Sequence, residues 1–204
     1  MKFDITRRME VVDQAIAAED NLFHKAILRN YRRHAHLEVC CMWDQILLPE
    51  LTCANPHYKI HNGEKVVIAN GLSAVGQVYK RMADSNSTVI YHTDEHIMVS
   101  DEGFMSEYVS HRFWKGADLA RVAGEKLDDL DAHYIVSQTL VTFFTYDSDA
   151  ILTGEYVYHG ADRQVRLCPP DEVISLDECR ARLLPLVESA EAIRFHRAAP
   201  TMAA

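Results

Sequence analysis

Apolar and polar positions alternate along Val89 to Val99, VIYHTDEHIMV, and this stretch predicts a strand. It is rich in β-branched and aromatic residues, lacks Gly and Pro, and runs into a turn at Ser100-Asp101-Glu102-Gly103. Strict alternation would put His92, Asp94, His96 and Met98 on one face, with Tyr91, Thr93, Glu95, Ile97 and Val99 on the other. A row of His, Asp and His is expensive to bury without partners, so that face should look into a polar cavity or at water.

Before this strand the period is helical. Ile5, Met9, Val12 and Ile16 predict a first helix to about residue 18. A longer helix is expected from Asp20 to Leu47, capped by Asp20, stopped by Pro49 and breaking near His34 to His36. His57 to His61 reads as a short strand closed by the Asn62-Gly63 turn, and Leu72 to Met82 as a third helix. After the central strand, further strands are expected at Phe104–Trp114, His133–Tyr146, Ile151–His159 and Val165–Cys168, with a possible helix between residues 115 and 131. A final helix from Ser175 to about Arg197 is interrupted at Pro185. Helices followed by consecutive strands indicate an α+β fold, a strongly curved antiparallel sheet wrapped around N-terminal helices. One domain over residues 1–197 and a disordered tail at 198–204 are expected.

With 204 residues, 48% of them hydrophobic, the chain can hold one ordinary core. A formal net charge of -9 argues against nucleic acid. The nearest basic cluster, Arg29, Arg32 and Arg33, reads as a solvated helix face. No apolar run approaches the ~20 residues of a membrane span, and the first residues lack the apolar core of a signal peptide. Five cysteines without zinc-type spacing fit a reducing, cytoplasmic setting, with Cys40 and Cys41 as packing residues.

Three landmarks resemble the nuclear transport factor 2-like (SnoaL-like) superfamily of cone-shaped α+β barrels. They are the helical arm ending in Trp43-Asp44-Gln45-Ile46-Leu47-Leu48-Pro49, the following helix at Gly71 to Met82, and His92 ahead of the turn Asp101-Glu102-Gly103. Within that superfamily the sequence is similar to scytalone dehydratase and to lyases that release formaldehyde from lignin-derived diaryl compounds. The resemblance implies cofactor-free lyase chemistry, with His92, His111 on the next strand and Tyr58 on the short strand as catalytic groups. The family's arm aspartate has no counterpart here; His34, His36 and Glu38 stand near its place. A homodimer is also implied.

On the residues alone, imidazoles can take and return a proton near neutrality, a carboxylate can fix their tautomer, and a tyrosine can hold a developing oxyanion. Substrate contacts are expected from Tyr91, His61, His96, Asp94, Trp43, Gln138, Tyr79 and Arg81, the last as an anchor for an anionic or phenolic group. Asp44 or Glu50 could supply a missing carboxylate, and Trp43, Trp114, Phe143 and Phe144 an aromatic lining. The expected substrate is a largely apolar, aromatic small molecule, with no cofactor, since no phosphate loop or dinucleotide fingerprint occurs. Two rivals remain. One is a metal-dependent enzyme using the same histidines, although His92 and His96 would lie about 13 Å apart along a strand. The other is a non-catalytic small subunit of an aromatic-ring dioxygenase.

Overall fold

In the computed structural model, which describes residues 1–195, the helices come first and the sheet is laid over them. After a single 3-10 turn at Ile5–Arg7 come α1 (Glu10–Ala18) and α2 (Leu22–Val39). The side chain of Asn21, not of Asp20, caps α2 by accepting from the amides of Phe23 and His24. The helix runs unbroken past His34 to His36 and stops at Cys41, whose φ is +57°. There the amide of Met42 bonds the carbonyl of Leu37 and that of Cys41 the carbonyl of Glu38, both at 2.9 Å. This left-handed cap usually carries Gly, and a Cys in its place hides the stop from the sequence.

The strand β1 (Thr52–Asn62) is longer than its motif suggested, and the Asn62-Gly63 turn returns the chain as β2 (Lys65–Asn70), which the sequence reading missed. Next come α3 (Gly71–Asp84), β3 (Ile90–Ser100), β4 (Gly103–Lys115), α4 (Gly116–Ala123), β5 (His133–Tyr146), β6 (Leu152–His159) and β7 (Gln164–Cys168). The chain closes with α5 (Leu176–Leu183), a turn at Pro185 and α6 (Ala190–Ile193). The tail expected to be disordered lies outside the described residues.

The strands form one curved, unclosed sheet in the order β2-β1-β6-β5-β4-β3, with β7 pairing the start of β5. It is not wholly antiparallel: β1 pairs β6 in parallel. The long β5 carries β4 along its whole length, β6 beside its second half and β7 beside its first. One sheet face is covered by α2 and α3, giving a core of Ile27, Leu28, Tyr31, Tyr58, Phe104 and Phe144. At the β3–β4 end the N-terminal residues and α5 wrap onto Phe113 and Ile135.

The basic trio on α2 is not a solvated face. Arg33 is buried and donates to the carbonyls of Gln45 and Glu188, Arg29 pairs with Glu188, and Arg32 pairs with Asp13. These bonds tie α1 and the C-terminal segment to α2. Among the described residues, no helix is long and apolar enough to cross a membrane.

Candidate active site

Strict alternation fails once, in β3, and that failure shapes the site. Asp94 has φ +52° and the β3–β4 register slips between Thr93 and His96. Asp tolerates this left-handed conformation better than most residues, and the extra residue is a β-bulge. Upstream of it, His92 points inward and is buried; downstream the parity flips, so Glu95 turns inward while Asp94 and His96 face solvent. The expected row of His, Asp and His on one face does not exist. His92 and His96 cannot share an ion, and among the described residues no group of three or more His, Cys, Asp or Glu is arranged to hold a metal.

The sheet separates the other expected pair. His92 lies opposite Ser110 and Tyr91 opposite His111, so His111 is on the face turned away from α2. There it bonds Thr93 Oγ1 at 2.9 Å and Ser137 Oγ at 2.8 Å, with the ring of Phe3 5.0 Å away. Tyr91 stacks on Phe3, and His61 stacks on Tyr158, again away from the helices. His111, Tyr91, His61, His96 and Asp94 are therefore not brought to His92.

Between α2, α3 and the sheet lies an inner chamber of about 240 Å³, just below the usual small-molecule pocket range of about 300–1,000 Å³. Its apolar wall includes Tyr31, Leu140, Phe144 and Val157. It opens into a wider mouth of about 740 Å³ that shares Ser110, Arg112, Leu140 and His159 with it. Gln138, Arg81 and Trp114 line this mouth. Phe143 lies beyond reach on the other sheet face, its ring tilted against Tyr156 at 6.0 Å. Trp43 lies behind Tyr79, stacked parallel to it at 6.4 Å.

His92 is held rather than free. Arg8 Nη2 lies 3.2 Å from its Nε2, its ring stacks on Tyr108 at 3.7 Å, and its Nδ1 is 3.9 Å from Glu95. A guanidinium can only donate, so Nε2 must accept and the lone pair a general base would use is occupied. Burial, then the Arg8 charge, lowers its pKa to about 4. Glu95 ends below the ordinary carboxylate value: burial raises it, but the His92 ring, the Ser106 hydroxyl at 2.7 Å and Arg8 outweigh that.

The groups that converge are Tyr58 and Tyr79, which the sequence singled out, His34 and Glu38, which it placed on the arm, and Glu155, which it did not suggest. On α2, His34 and Glu38 are one helical turn apart and share a face. His34 Nε2 lies 2.9 Å from Tyr79 Oη, 3.8 Å from Glu38 Oε2 and 3.9 Å from Glu155 Oε2, and Tyr79 Oη lies 3.1 Å from Tyr58 Oη. Tyr58, expected as a catalytic group, and Tyr79, expected as a substrate contact, are almost wholly buried and stand against His34 and Glu155. Burial, then repulsion from Glu38, drives the Glu155 carboxyl well above the ordinary range, with bonds from Tyr58 and Tyr79 only partly opposing. Glu38 is raised too, by burial, against the opposing charges of Arg8 and Arg112. Two carboxyls so placed do not both ionise readily. Both carboxyls are raised, Glu155 the further, and they titrate as a pair. His34 is lowered to about 3, first by burial, and is neutral. Asp44 and Glu50 are exposed and take no part.

At the junction with the mouth, Gln138 donates to the carbonyl of Gly160 at 2.6 Å and its oxygen faces His159 Nδ1 at 3.1 Å. That oxygen only accepts, so Nδ1 carries the proton and Nε2 the lone pair. Gln138 thus positions His159, a role the sequence did not suggest.

No family model matches the chain, and no curated protein does. Among solved structures it is similar to Bal32a from a soil-derived mobile gene cassette (13% identity, TM-score 0.45, 68% of this chain and 92% of that one). It is also similar to SalBIII, an epoxide hydrolase/cyclase-like enzyme of pyran ring formation in salinomycin (19%, 0.44, 72% and 98%). A third similar structure is a proposed dehydratase of the nuclear transport factor 2-like family from Streptomyces avermitilis (14%, 0.36, 74% and 98%). At such low identity and score the chemistry is argued from this chain's own residues. Its fold, helices laid against one face of a curved sheet with a chamber between, is the α+β architecture that the sequence resemblance implied.

Proposed function

We propose that this protein is a cofactor-independent lyase that eliminates water from a small, largely apolar substrate. The observation that carries this reading is the pair of carboxyls Glu38 and Glu155, 3.8 and 3.9 Å from the same His34 Nε2 in one chamber, both raised by burial and Glu155 the further. Carbon–carbon cleavage of the retro-aldol kind needs chiefly a base at a hydroxyl group. Loss of hydroxide needs both a base at carbon and an acid at oxygen, because hydroxide is a poor leaving group, and the chamber offers both.

In the elimination, the Glu38 carboxylate takes the proton from a carbon beside a carbonyl. The freed electron pair forms the carbon–carbon double bond as the neighbouring carbon–oxygen bond breaks. Glu155 gives its proton to the departing hydroxyl, which leaves as water. The proton on Glu38 then returns to Glu155 past the hydrogen-bonded His34, Tyr79 and Tyr58. Each acid or base is worth about 100- to 10,000-fold in rate.

The test is turnover of an aryl-bearing β-hydroxy ketone, followed by the absorbance of its conjugated enone product. Glu38→Gln and Glu155→Gln should each lose about 100-fold or more in kcat, and the wild-type pH profile should be bell-shaped, its limbs belonging to the pair. Full activity in both variants would overturn the reading.

A further inference from the structure

The chain as a whole is acidic, yet the mouth of the chamber is not. The carboxylates that line it already have partners: Asp84 binds Lys80 at 2.8 Å and Glu125 binds Arg163. Lys65, Arg81 and Arg112 line the same mouth and, among the described residues, make no ion pair and no side-chain hydrogen bond. Arg112 is the telling one. It sits where chamber and mouth meet, on the helix-covered face of β4, and burial lowers its pKa although Glu38 pulls the other way. Arg112 is half-buried, and its guanidinium brings five N–H donors that open onto the chamber without a protein partner among the described residues. Arg8, by contrast, spends its donors on Ile90, Ala35 and His92.

We infer that the substrate is bipartite: an apolar head that fills the inner chamber and an anionic tail, carboxylate or phosphate, held at the mouth by Arg112 with Lys65 and Arg81. The planar fork of Arg112 suits two parallel bonds to either anion, while Lys65 and Arg81 add long-range attraction. This deepens the lyase reading by naming the class of molecule the chamber takes, and it rests on the same chamber being the site.

The experiment is calorimetric binding of cinnamate, phenyl phosphate and the uncharged cinnamyl alcohol to the full chain, at low and moderate salt. One or both anions should bind on the order of tenfold or more tighter than the alcohol, and this advantage should shrink with salt. Whether cinnamate or phenyl phosphate gains more identifies the tail. Arg112→Gln should erase the advantage while leaving the alcohol unchanged. The surface double variant Lys65→Gln/Arg81→Gln should reduce it even if Arg112→Gln fails to fold. Equal affinity for acid and alcohol, no binding of any probe, or a preference that survives the double variant and any folded Arg112→Gln would overturn the proposal. Wild-type turnover separates the two readings: selective anion binding by a wild type that eliminates water from no β-hydroxy ketone would sink the lyase and keep the anion site.

Discussion

Arg8 Nη2 donates to His92 Nε2 across 3.2 Å, joining the first helical turn of the chain to the edge strand β3. The same guanidinium bonds the carbonyls of Ile90 at 3.1 Å and Ala35 at 2.9 Å, so one buried cation links the N-terminus, β3 and α2. His92 is thereby a structural ligand of Arg8 before it is anything else.

Removing Arg8 leaves three buried acceptors, two on β3 and one on α2. Arg8→Met should cost at least about 2 kcal/mol in urea denaturation, since each unmet buried acceptor costs about 1–3 kcal/mol. His92→Gln, which can still accept from Arg8, should retain more stability than His92→Leu. Equal losses in the two His92 variants would show that the bond to Arg8 contributes little.

His111 points away from the chamber, so His111→Ala should leave elimination close to wild type. Its loss removes bonds to Thr93 and Ser137 and packing on Phe3, for a stability cost of about 1–2 kcal/mol. A deep fall in kcat with unchanged stability would return His111 to the chemistry.

Stability should fall on acidification well before the surface carboxylates titrate. His34 and His36 have their pKa lowered to about 3, and His92 to about 4, chiefly by burial, from an ordinary value of 6.5. Below pH 6.5 the unfolded chain therefore binds protons the folded chain refuses. Stability is fully present above that pH and declines toward pH 4 for His92 and pH 3 for His34 and His36, at up to about 1.4 kcal/mol per unit for each group. Glu155 has the opposite sign: raised above its ordinary 4.5, it stabilises at low pH and that contribution fades as pH rises through its folded value. Among the described residues His36 has neither ring nitrogen partnered, and it is nearly inaccessible. His36→Met should accordingly flatten the acid limb and raise stability at pH 5; an unchanged slope in a pH series of urea melts would contradict this.

The fold was largely legible because period and punctuation agree with it: His133–Tyr146 was read to the residue, and the later strands to within one. The site was less so. Alternation assigned Asp94 and His96 to the cavity and Glu95 to the outside, and one left-handed residue at Asp94 reversed all of that below it. The hint was there, since Asp is a poor strand former in mid-strand. His34 and Glu38, one helical turn apart on a core-facing helix, were a second hint. Glu155 and Arg112 carried none. An acid or a base in a strand looks solvated until the register places it opposite Tyr58 in one case and Ile90 in the other.

The central claim is that Glu155 holds a proton at neutral pH inside the chamber while Glu38 is the carboxyl that ionises. Infrared difference spectroscopy of wild type against Glu155→Gln at pH 7 reads this without any substrate. The account predicts a protonated-carboxyl C=O stretch in the wild type that vanishes in the variant and survives in Glu38→Gln. A wild-type spectrum with no such band, or one that Glu155→Gln leaves in place, would contradict it.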